Sequence, residues 1–556
     1  MAKPAIIAAP SRTEPPHGFM THWLVQQSRV AHMPTDPVSR LRAAFGLPAT
    51  HPILSSQEIG SFPIFTVHNE RATAYLALTL ASGDDGGAEQ SLRDTLSASP
   101  SMGVGALVDS HFEPLRILRK NFRTGDFDRV ASLDTGARLA PAERIPPSAL
   151  RPLSARVEDL LFELHSALRD IDGLHAPEAL DEMCKLLYAK LQDEENAQET
   201  RELLFQRAGH FSAEECAAQI RQLYSDAVAH DRARGHPTGV FKQALLLSGA
   251  AIVRAVDLLQ QHDLCGSPVD IKGRAFQNVL APAMRSGMGQ YFTPKAVIDL
   301  VVRMVAPGVR DKLIDPFCGS GQFLASALDF VRGAHARSDP LFQAFARTSL
   351  HGIEKSERMV RIAMTDMRLH GEGRSHIRCA DALAPFSNDP DLQRESFDLV
   401  VTNPPFGIDL PIDSLHQLGP FEPVPRRKAF VSLEVLALQR CLQLLKPGGR
   451  LAIVLPDGVL NNRNARYVRD WLLQQALVRA IVSLPVETFA PFGASVKTSI
   501  LLARKLRTGE QVDPARAVFM GEVSDPGHDA RGRRTATADL DALLQAFQRF
   551  LSREAW

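Results

Sequence analysis

Apolar and polar positions divide the chain into regions of different rhythm. Between residues 51 and 122 short apolar runs alternate with turns: "FPIFTVHN", "TAYLALTLASGDDGG", "GVGALVDS" and "PLRILRKN". They predict strands, with a helix near "AEQSLRDTLSAS", and so a small α/β accessory domain over 21–140. Residues 1–20, rich in Pro and Ala, predict a loose N-terminus, and "LAPAERIPPSALRP" at 139–152 a Pro-rich linker. Helical spacing follows, first at Val157, Leu160, Leu161, Leu164 and Leu168, then at Leu180, Met183, Cys184, Leu187 and Leu191. This predicts an α-helical domain over 150–270. Over 271–510 strands alternate with helices; the strand candidates are "KLIDP", "LHGIE", "IRCAD", "FDLVVTN", "RLAIVLP", "AIVSLP" and "TSILLA". That alternation predicts an α/β fold with a central sheet between helical layers. Residues 511–556 read as a charged loop, "GHDARGRRT", and a last helix, "DLDALLQAFQRFLSR".

Composition changes the picture little. The 556 residues suggest about three or four domains. Lys plus Arg and Asp plus Glu are balanced at 63 each, without the basic excess of a dedicated nucleic-acid binder. Contacts to nucleic acid would then use local basic patches or be shared with a partner. None of the 6 cysteines forms a CxxC pair, so neither a zinc site nor a disulfide framework is expected. The stretch "MAKPAIIAAPSRTEPP" lacks the apolar core of a signal peptide, and no segment approaches a membrane span. A cytoplasmic location without membrane contact is the expectation.

Candidate chemistry sits at the ends of the predicted strands. "KLIDPFCGSGQFL", Lys312 to Leu324, is a strand, a glycine turn and a helix. Gly319 and Gly321 let backbone approach a ligand at a helix N-terminus, although two glycines also suit a plain turn. The loop lacks the G-x-G-x-x-G of dinucleotide binders and has Asp315 at its strand end. A carboxylate there repels pyrophosphate and welcomes an ammonium. S-adenosylmethionine carries an ammonium and a sulfonium and no phosphate. The next two strands end in Glu354 and Asp381, placed to accept from ribose hydroxyls and from an adenine amino group. Asp315 and Asp381 also read as helix N-caps, but three acids on successive strands favour the ligand reading.

The fourth strand ends in "TNPPFG", which reads either as a Pro-rich turn or as chemistry. An exocyclic amine is a poor nucleophile because its lone pair is delocalised into the ring. The Asn403 side-chain oxygen and the Pro404 carbonyl can each accept one amino hydrogen, which aims that lone pair at a methyl group. Pro405 stiffens the turn and Phe406 offers a stacking face. A base inside a duplex has to be flipped out to reach such a site.

"GQYFTP" (289–294), "DPFCGSGQFL", "HGIE", "CADAL", "TNPPFG" and "LKPGGRLAIVLPDGVL" (445–460) occur in the order found in amino-group DNA methyltransferases. Over 155–505 the chain resembles the modification subunit of type I restriction–modification systems. "DGLHAPEALDEMCKLLYAKLQDE" and "DIKGRAFQ" extend the resemblance upstream. It implies a Rossmann-like, seven-stranded S-adenosylmethionine-dependent methyltransferase domain that methylates adenine N6 in double-stranded DNA. Asn403, Pro404, Pro405 and Phe406 would be catalytic. Gln290, Tyr291, Phe292 and Thr293, with Asp315, Gly319, Ser320, Gly321, Gln322, Glu354, Asp381 and Asn403, would hold the cofactor. Thr293-Pro294 also reads as an N-cap and first helical residue. "VETFAPFGASVKTSILL" resembles the motif that gives the base pocket a second wall, from Phe489 or Phe492. The chain departs from the family at Phe317, where Ala is usual, and at Gln322, where Gly is usual.

The N-terminal region resembles the nuclease-like domain of type I restriction subunits, with Thr79 and Ala81 where the metal acid and lysine would stand. It is either such a fold without nuclease chemistry or an unrelated accessory domain. Too few residues follow Ala503 for a target-recognition domain, so a separate specificity subunit is expected, with a restriction or translocase subunit as a further partner. Arg426, Arg427 and Lys428 form either a contact to backbone phosphate or a solvated loop. Two other functions remain: a non-catalytic DNA-binding or assembly subunit with Phe317 blocking the pocket, and a protein-glutamine N-methyltransferase.

Overall fold

The computed structural model describes residues 54–59, 62–68, 74–80, 85–98, 103–109, 114–120, 126–130, 145–153, 159–208, 213–233, 238–241, 244–285, 292–336, 338–371, 376–389, 392–419, 421, 429–492, 495–513, 515–531, 533, 535 and 539–554. Residues 1–20, Ala81, Gln290, Tyr291, Arg426, Arg427 and Lys428 lie outside these segments, as does the side chain of Phe492. The chain forms two compact units, Met1–Ala149 with Arg201–Gln219, and Leu150–Thr200 with Ile220–Trp556.

The first unit is a six-stranded sheet in sequence order: β1 (Leu54–Ile59), β2 (Phe62–His68), β3 (Ala74–Leu80), β4 (Val104–Val108), β5 (Pro114–Lys120) and β6 (Phe127–Val130). β3 and β4 pair parallel, and α1 (Asp85–Ala98) is the crossover between them. Ala88, Leu92 and Leu96 of α1 pack with Ile64, Ala77, Leu107 and Leu118 of the sheet. Gly105 permits this closeness, since a Cβ there would stand 2.8 Å from Leu92 Cγ. Glu89 on α1 gathers Arg93, Arg116 and Arg129. Its burial works against ionisation, but the three guanidiniums hold its carboxyl down to about 2. Thr79 is fully buried in β3.

In the second unit, α2 (Leu160–Asp172) buries Leu160, Leu161, Leu164 and Leu168 of the helical stripe read from the sequence, whose first member, Val157, lies outside the described residues. Gly173, at φ 65°, ends it in the left-handed conformation. α3 (Ala176–Thr200) is buried over most of its length, including its charges. Lys185 pairs with Glu182 at 2.5 Å and Lys190 with Glu194 at 2.8 Å. α4 (Ala213–Ala233), which belongs to this unit from Ile220 on, α5 (Gly249–Leu259) and α6 (Val269–Arg285) complete the helical part. Ser248 caps α5 by accepting from Ala251 N.

The α/β part opens with α7 (Lys295–Val305), β7 (Leu313–Asp315), α8 (Gln322–Arg332), β8 (Leu350–Glu354), α9 (Glu357–Leu369), β9 (His376–Cys379) and β10 (Phe397–Thr402). A small ribbon follows, β11 (Asp409–Pro411) and β12 (Phe430–Ser432), then α10 (Leu433–Leu444) and β13 (Leu445–Pro456). α11 (Arg466–Gln475), β14 (Ala476–Leu484), β15 (Thr498–Lys505), β16 (Phe519–Glu522) and α12 (Leu540–Leu551) end it. The sheet has eight strands in the order β9-β8-β7-β10-β13-β15-β14-β16, with β15 antiparallel to both neighbours. Strand order reverses between β7 and β10, where Val400 pairs with Ile314, and the crevice at such a reversal is the usual ligand site.

Seven of these strands are those expected from the apolar runs. The eighth, β16, lies in the segment read as loop. It pairs parallel with β14, and Phe519 packs against Phe547 and Phe550 of α12. It exposes Met520 and has too few apolar residues to stand out. The helical and α/β parts are joined by Arg361 of α9, which reaches both oxygens of Asp181 on α3 at 2.7 and 2.8 Å and donates to the Val240 carbonyl at 2.6 Å.

Candidate active site

The glycine turn after β7 is folded by its own backbone and by its neighbours. Gly319 and Gly321 have φ of 51° and 82°, and Gly321 caps α8 in the left-handed conformation. A Cβ on Gly321 would come within 3.1 Å of Ala363 on α9, so the turn also lies flat against that helix. Cys318 N donates to the Ile353 carbonyl at 2.9 Å, tying the turn to β8. The N-cap of α8 is therefore Gly321 and not Asp315.

Asp315 closes β7 at 1% exposure. Its Oδ1 accepts from Thr402 Oγ1 at 2.6 Å and from Phe317 N at 3.1 Å, so both hydrogen bonds fall on one oxygen. Burial outweighs them and pushes its carboxyl up to about 7. Glu354 closes β8; it accepts from Gly319 N at 3.2 Å and from Ser356 N at 2.7 Å, and burial raises its carboxyl too. Asp381 follows β9, accepting from Leu383 N at 2.9 Å and pairing with exposed Lys355 at 3.1 Å. A dry carboxyl such as that of Asp315, with no ion pair to it among the described residues, favours a positively charged ligand over a phosphate.

A cleft of about 430 Å³ opens beside the turn. Of the residues singled out in the sequence, Phe292, Thr293, Asp315, Phe317, Gly319, Ser320, Gln322 and Asn403 line it. Glu354 and Asp381 stand at the ends of the next two strands, outside that lining. Ile298, Cys318, Phe323 and Met359 also line it and were not foreseen. Met359 was within reach of sequence reasoning, since the first turn of a helix that follows an acid-ended strand faces the same crevice.

Asn403 follows β10. Its Nδ2 donates to Thr293 Oγ1 at 2.8 Å, while its Oδ1 is buried without a hydrogen-bond partner. Thr293 does not cap a helix: α7 is capped by Pro294 and the Thr293 hydroxyl is turned to Asn403. Pro404 is buried and Pro405 half-buried. Phe406, at 4% exposure, meets Phe489 edge to face, with ring centroids 5.8 Å apart and planes at 83°. Phe489 is itself fully buried, so it supports Phe406 from behind.

Glu434, in the first turn of α10, was missed. It is 4% exposed, and its Oε1 accepts from Gly407 N at 2.7 Å, pinning the far end of the Asn-Pro-Pro-Phe turn. Its Oε2 is buried without a partner. Leu433 N donates to the Ile408 carbonyl at 2.8 Å and adds a second tie. No local sequence signal marks Glu434, because the bond spans 27 positions.

Residues 270–556 match the N-6 DNA methylase family. The chain is 28% identical over 288 residues to the EcoEI type I restriction enzyme methylase subunit of Escherichia coli, covering 50% of this chain and 56% of that one. It is 25% identical over 246 residues to the type II restriction enzyme and methyltransferase RM.BcgI of Heyndrickxia coagulans, covering 44% and 35%. The chain spans about half the length of the curated relatives it matches. Among solved structures, a chain of a type I restriction–modification system superposes with a TM-score of 0.56 at 21% identity, covering 72% of this chain and 83% of that one. A type I methyltransferase subunit from Streptococcus thermophilus gives 0.50 at 19% identity, covering 73% and 94%. These superpositions speak to the α/β fold alone. With the family match over more than half its residues, this chain belongs to the N-6 DNA methylase family.

Proposed function

We propose that this chain is the modification subunit of a restriction–modification or phage-defence system. It would transfer a methyl group from S-adenosylmethionine to N6 of a flipped-out adenine in DNA. The observation that carries the reading is Asn403 Oδ1: a buried acceptor without a donor, at the strand-order reversal, on the rim of the glycine-turn cleft. A buried polar atom left unpaired is costly and asks for a ligand that supplies a hydrogen. An exocyclic amine supplies two, one for Asn403 Oδ1 and one for the Pro404 carbonyl.

The residues present suit the cofactor. The three strand-end acids would take its adenine amino group, ribose hydroxyls and cationic end, at Asp381, Glu354 and Asp315 in that order, and Gly319 lets the backbone come close. When bound, it supplies an electrophilic methyl on a sulfonium. Asn403 and the Pro404 carbonyl orient the amine, Pro405 keeps the turn rigid, and Phe406, braced by Phe489, offers the base an apolar contact. The proton leaves the nitrogen after transfer, when that nitrogen is cationic and acidic, so catalysis is mostly positioning and electrostatics. Glu434 is a positioning residue that holds the turn through Gly407.

The seven expected strands and their acids support reading 271–510 as the methyltransferase domain, with 150–270 as an α-helical domain and 21–140 as an accessory domain before it. A specificity subunit would bring the target sequence, and a restriction or translocase subunit would join the assembly in the cytoplasm. The description of the family, N-6 DNA methylase, favours DNA over a protein amide as methyl acceptor. Mapping modified bases in host DNA with and without the gene tests the proposal. N6-methyladenine at one recurring sequence, lost with the gene, is the expected result; an unchanged modification map overturns it.

A further inference from the structure

The six-stranded unit carries a cluster that the methylation chemistry does not use. Glu89 on α1 accepts from Arg93 Nη2 at 2.8 Å, from Arg116 Nη1 at 2.7 Å and from Arg129 Nη2 at 3.0 Å. The three arginines stand on separate elements, α1, β5 and β6, and β6 is the edge strand of its sheet. Leu118 packs against α1, so Arg116, two positions before it on β5, shares the face that the helix covers. Arg129 pairs with Leu118 across the ladder and stands on that face too. Arg93 also lies over the Phe127 ring, 5.1 Å from its centroid.

One guanidinium would neutralise Glu89, and three leave a surplus of two positive charges around it. Asp94 and Asp128, the acids beside Arg93 and Arg129 in the chain, do not cancel that surplus. Asp94 accepts from Gln90 at 2.9 Å, and Asp128 stands opposite Arg119 on the other face of the sheet. Glu89 is buried, but the arginine side chains keep 28% (Arg93), 35% (Arg116) and 62% (Arg129) of their surface exposed. Each guanidinium has five N–H donors, more than its share of one carboxylate can take up. Glu89 has also fixed three long side chains that would otherwise lose rotamer freedom on binding. A fixed array of planar donors with surplus charge suits the oxygens of a polyanion. The chain has no net charge, so any contact to a nucleic-acid backbone has to be local. We infer that Arg93, Arg116 and Arg129 form a binding site for the phosphodiester backbone of duplex DNA, with Glu89 holding the guanidiniums in place. The inference rests on DNA as the methyl acceptor, and the site reads no base sequence.

Fluorescence anisotropy of the full chain on a labelled duplex of random sequence, titrated over a range of salt concentrations, tests this. Arg116→Gln/Arg129→Gln leaves Glu89 paired with Arg93. It should lower affinity roughly 10-fold or more at about 0.1 M salt, and flatten the slope of log affinity against log salt by about 2, for two lost phosphate contacts. Arg116→Lys/Arg129→Lys keeps both charges and should keep the parental slope. Parental affinity and slope in the Gln pair overturn the inference. So does a slope as flat in the Lys pair as in the Gln pair, which would make the arginines supports of the fold. Inorganic phosphate should displace no more DNA than chloride does at equal ionic strength; stronger displacement overturns the inference in favour of a site for a single anion. If the unaltered chain binds no duplex at low salt, even with its specificity partner present, the reading of DNA as substrate fails and takes the inference with it.

Discussion

Asp315 allows a prediction whose sign and size can be worked through. Its carboxyl is fully buried and raised from an ordinary 3.8 to about 7, chiefly by desolvation. A carboxyl with a folded-state pKa above its unfolded one destabilises the fold whenever it is ionised. The penalty is absent near pH 4, grows as pH rises towards 7, and is complete above it. At about 1.36 kcal/mol for each tenfold change, the full penalty is about 4 kcal/mol. Asp315→Asn keeps an oxygen to accept from Thr402 Oγ1 and Phe317 N, and removes the charge. Urea denaturation of the ligand-free variant at pH 4 should match the parent within about 1 kcal/mol. At pH 8 the variant should be the more stable by up to about 4 kcal/mol. A variant less stable than the parent by the same margin at both pH values would show that the buried charge carries no such penalty. A strand-end acid with this penalty suits the cationic ligand proposed for the site.

Three further outcomes follow. Arg361→Ala leaves Asp181 buried without its partner and should cost about 3–5 kcal/mol in urea denaturation, while the Arg361→Met/Asp181→Leu pair should cost much less. Burial alone would lower the pKa of His370, but Asp366 and Asp329 raise it to about 8. That stabilisation, about 2 kcal/mol, is full below pH 6.5 and lost as pH rises through 8, and His370→Gln should remove this part of the pH dependence. Glu434→Ala frees the Gly407 amide and should lower kcat roughly 10- to 100-fold with S-adenosylmethionine affinity unchanged. Glu434→Gln keeps an acceptor and should recover most of the loss; equal defects in both variants would refute a positioning role.

The legible part of the fold was the part with local signals. Seven strands are apolar runs, and three of them end in acids that the structure places along one edge of the sheet. The α2 stripe reads directly as helical spacing. What could not be read depends on partners distant in sequence. Asn403 and Thr293 are 110 positions apart, Thr402 and Asp315 are 87 apart, and Arg361 and Asp181 are 180 apart. No window of the sequence shows that Thr293 gives up capping α7 to hold Asn403. β16 escaped because four residues with one exposed methionine pair only by backbone to a strand already defined. Phe489 reads as an aromatic in a late motif, but only its complete burial shows that it supports Phe406.

In the proposed mechanism, Asn403 Oδ1 activates an adenine amino group while the glycine-turn cleft holds the methyl donor. Asn403→Ala separates the two functions. With labelled S-adenosylmethionine, target DNA and the specificity partner, the variant should transfer no measurable methyl to DNA. Calorimetry should still show cofactor binding, weakened by no more than roughly 10-fold, since Asn403 is one of many residues that line the cleft. DNA methylation by Asn403→Ala at the parental rate would show that Asn403 does not activate the amine.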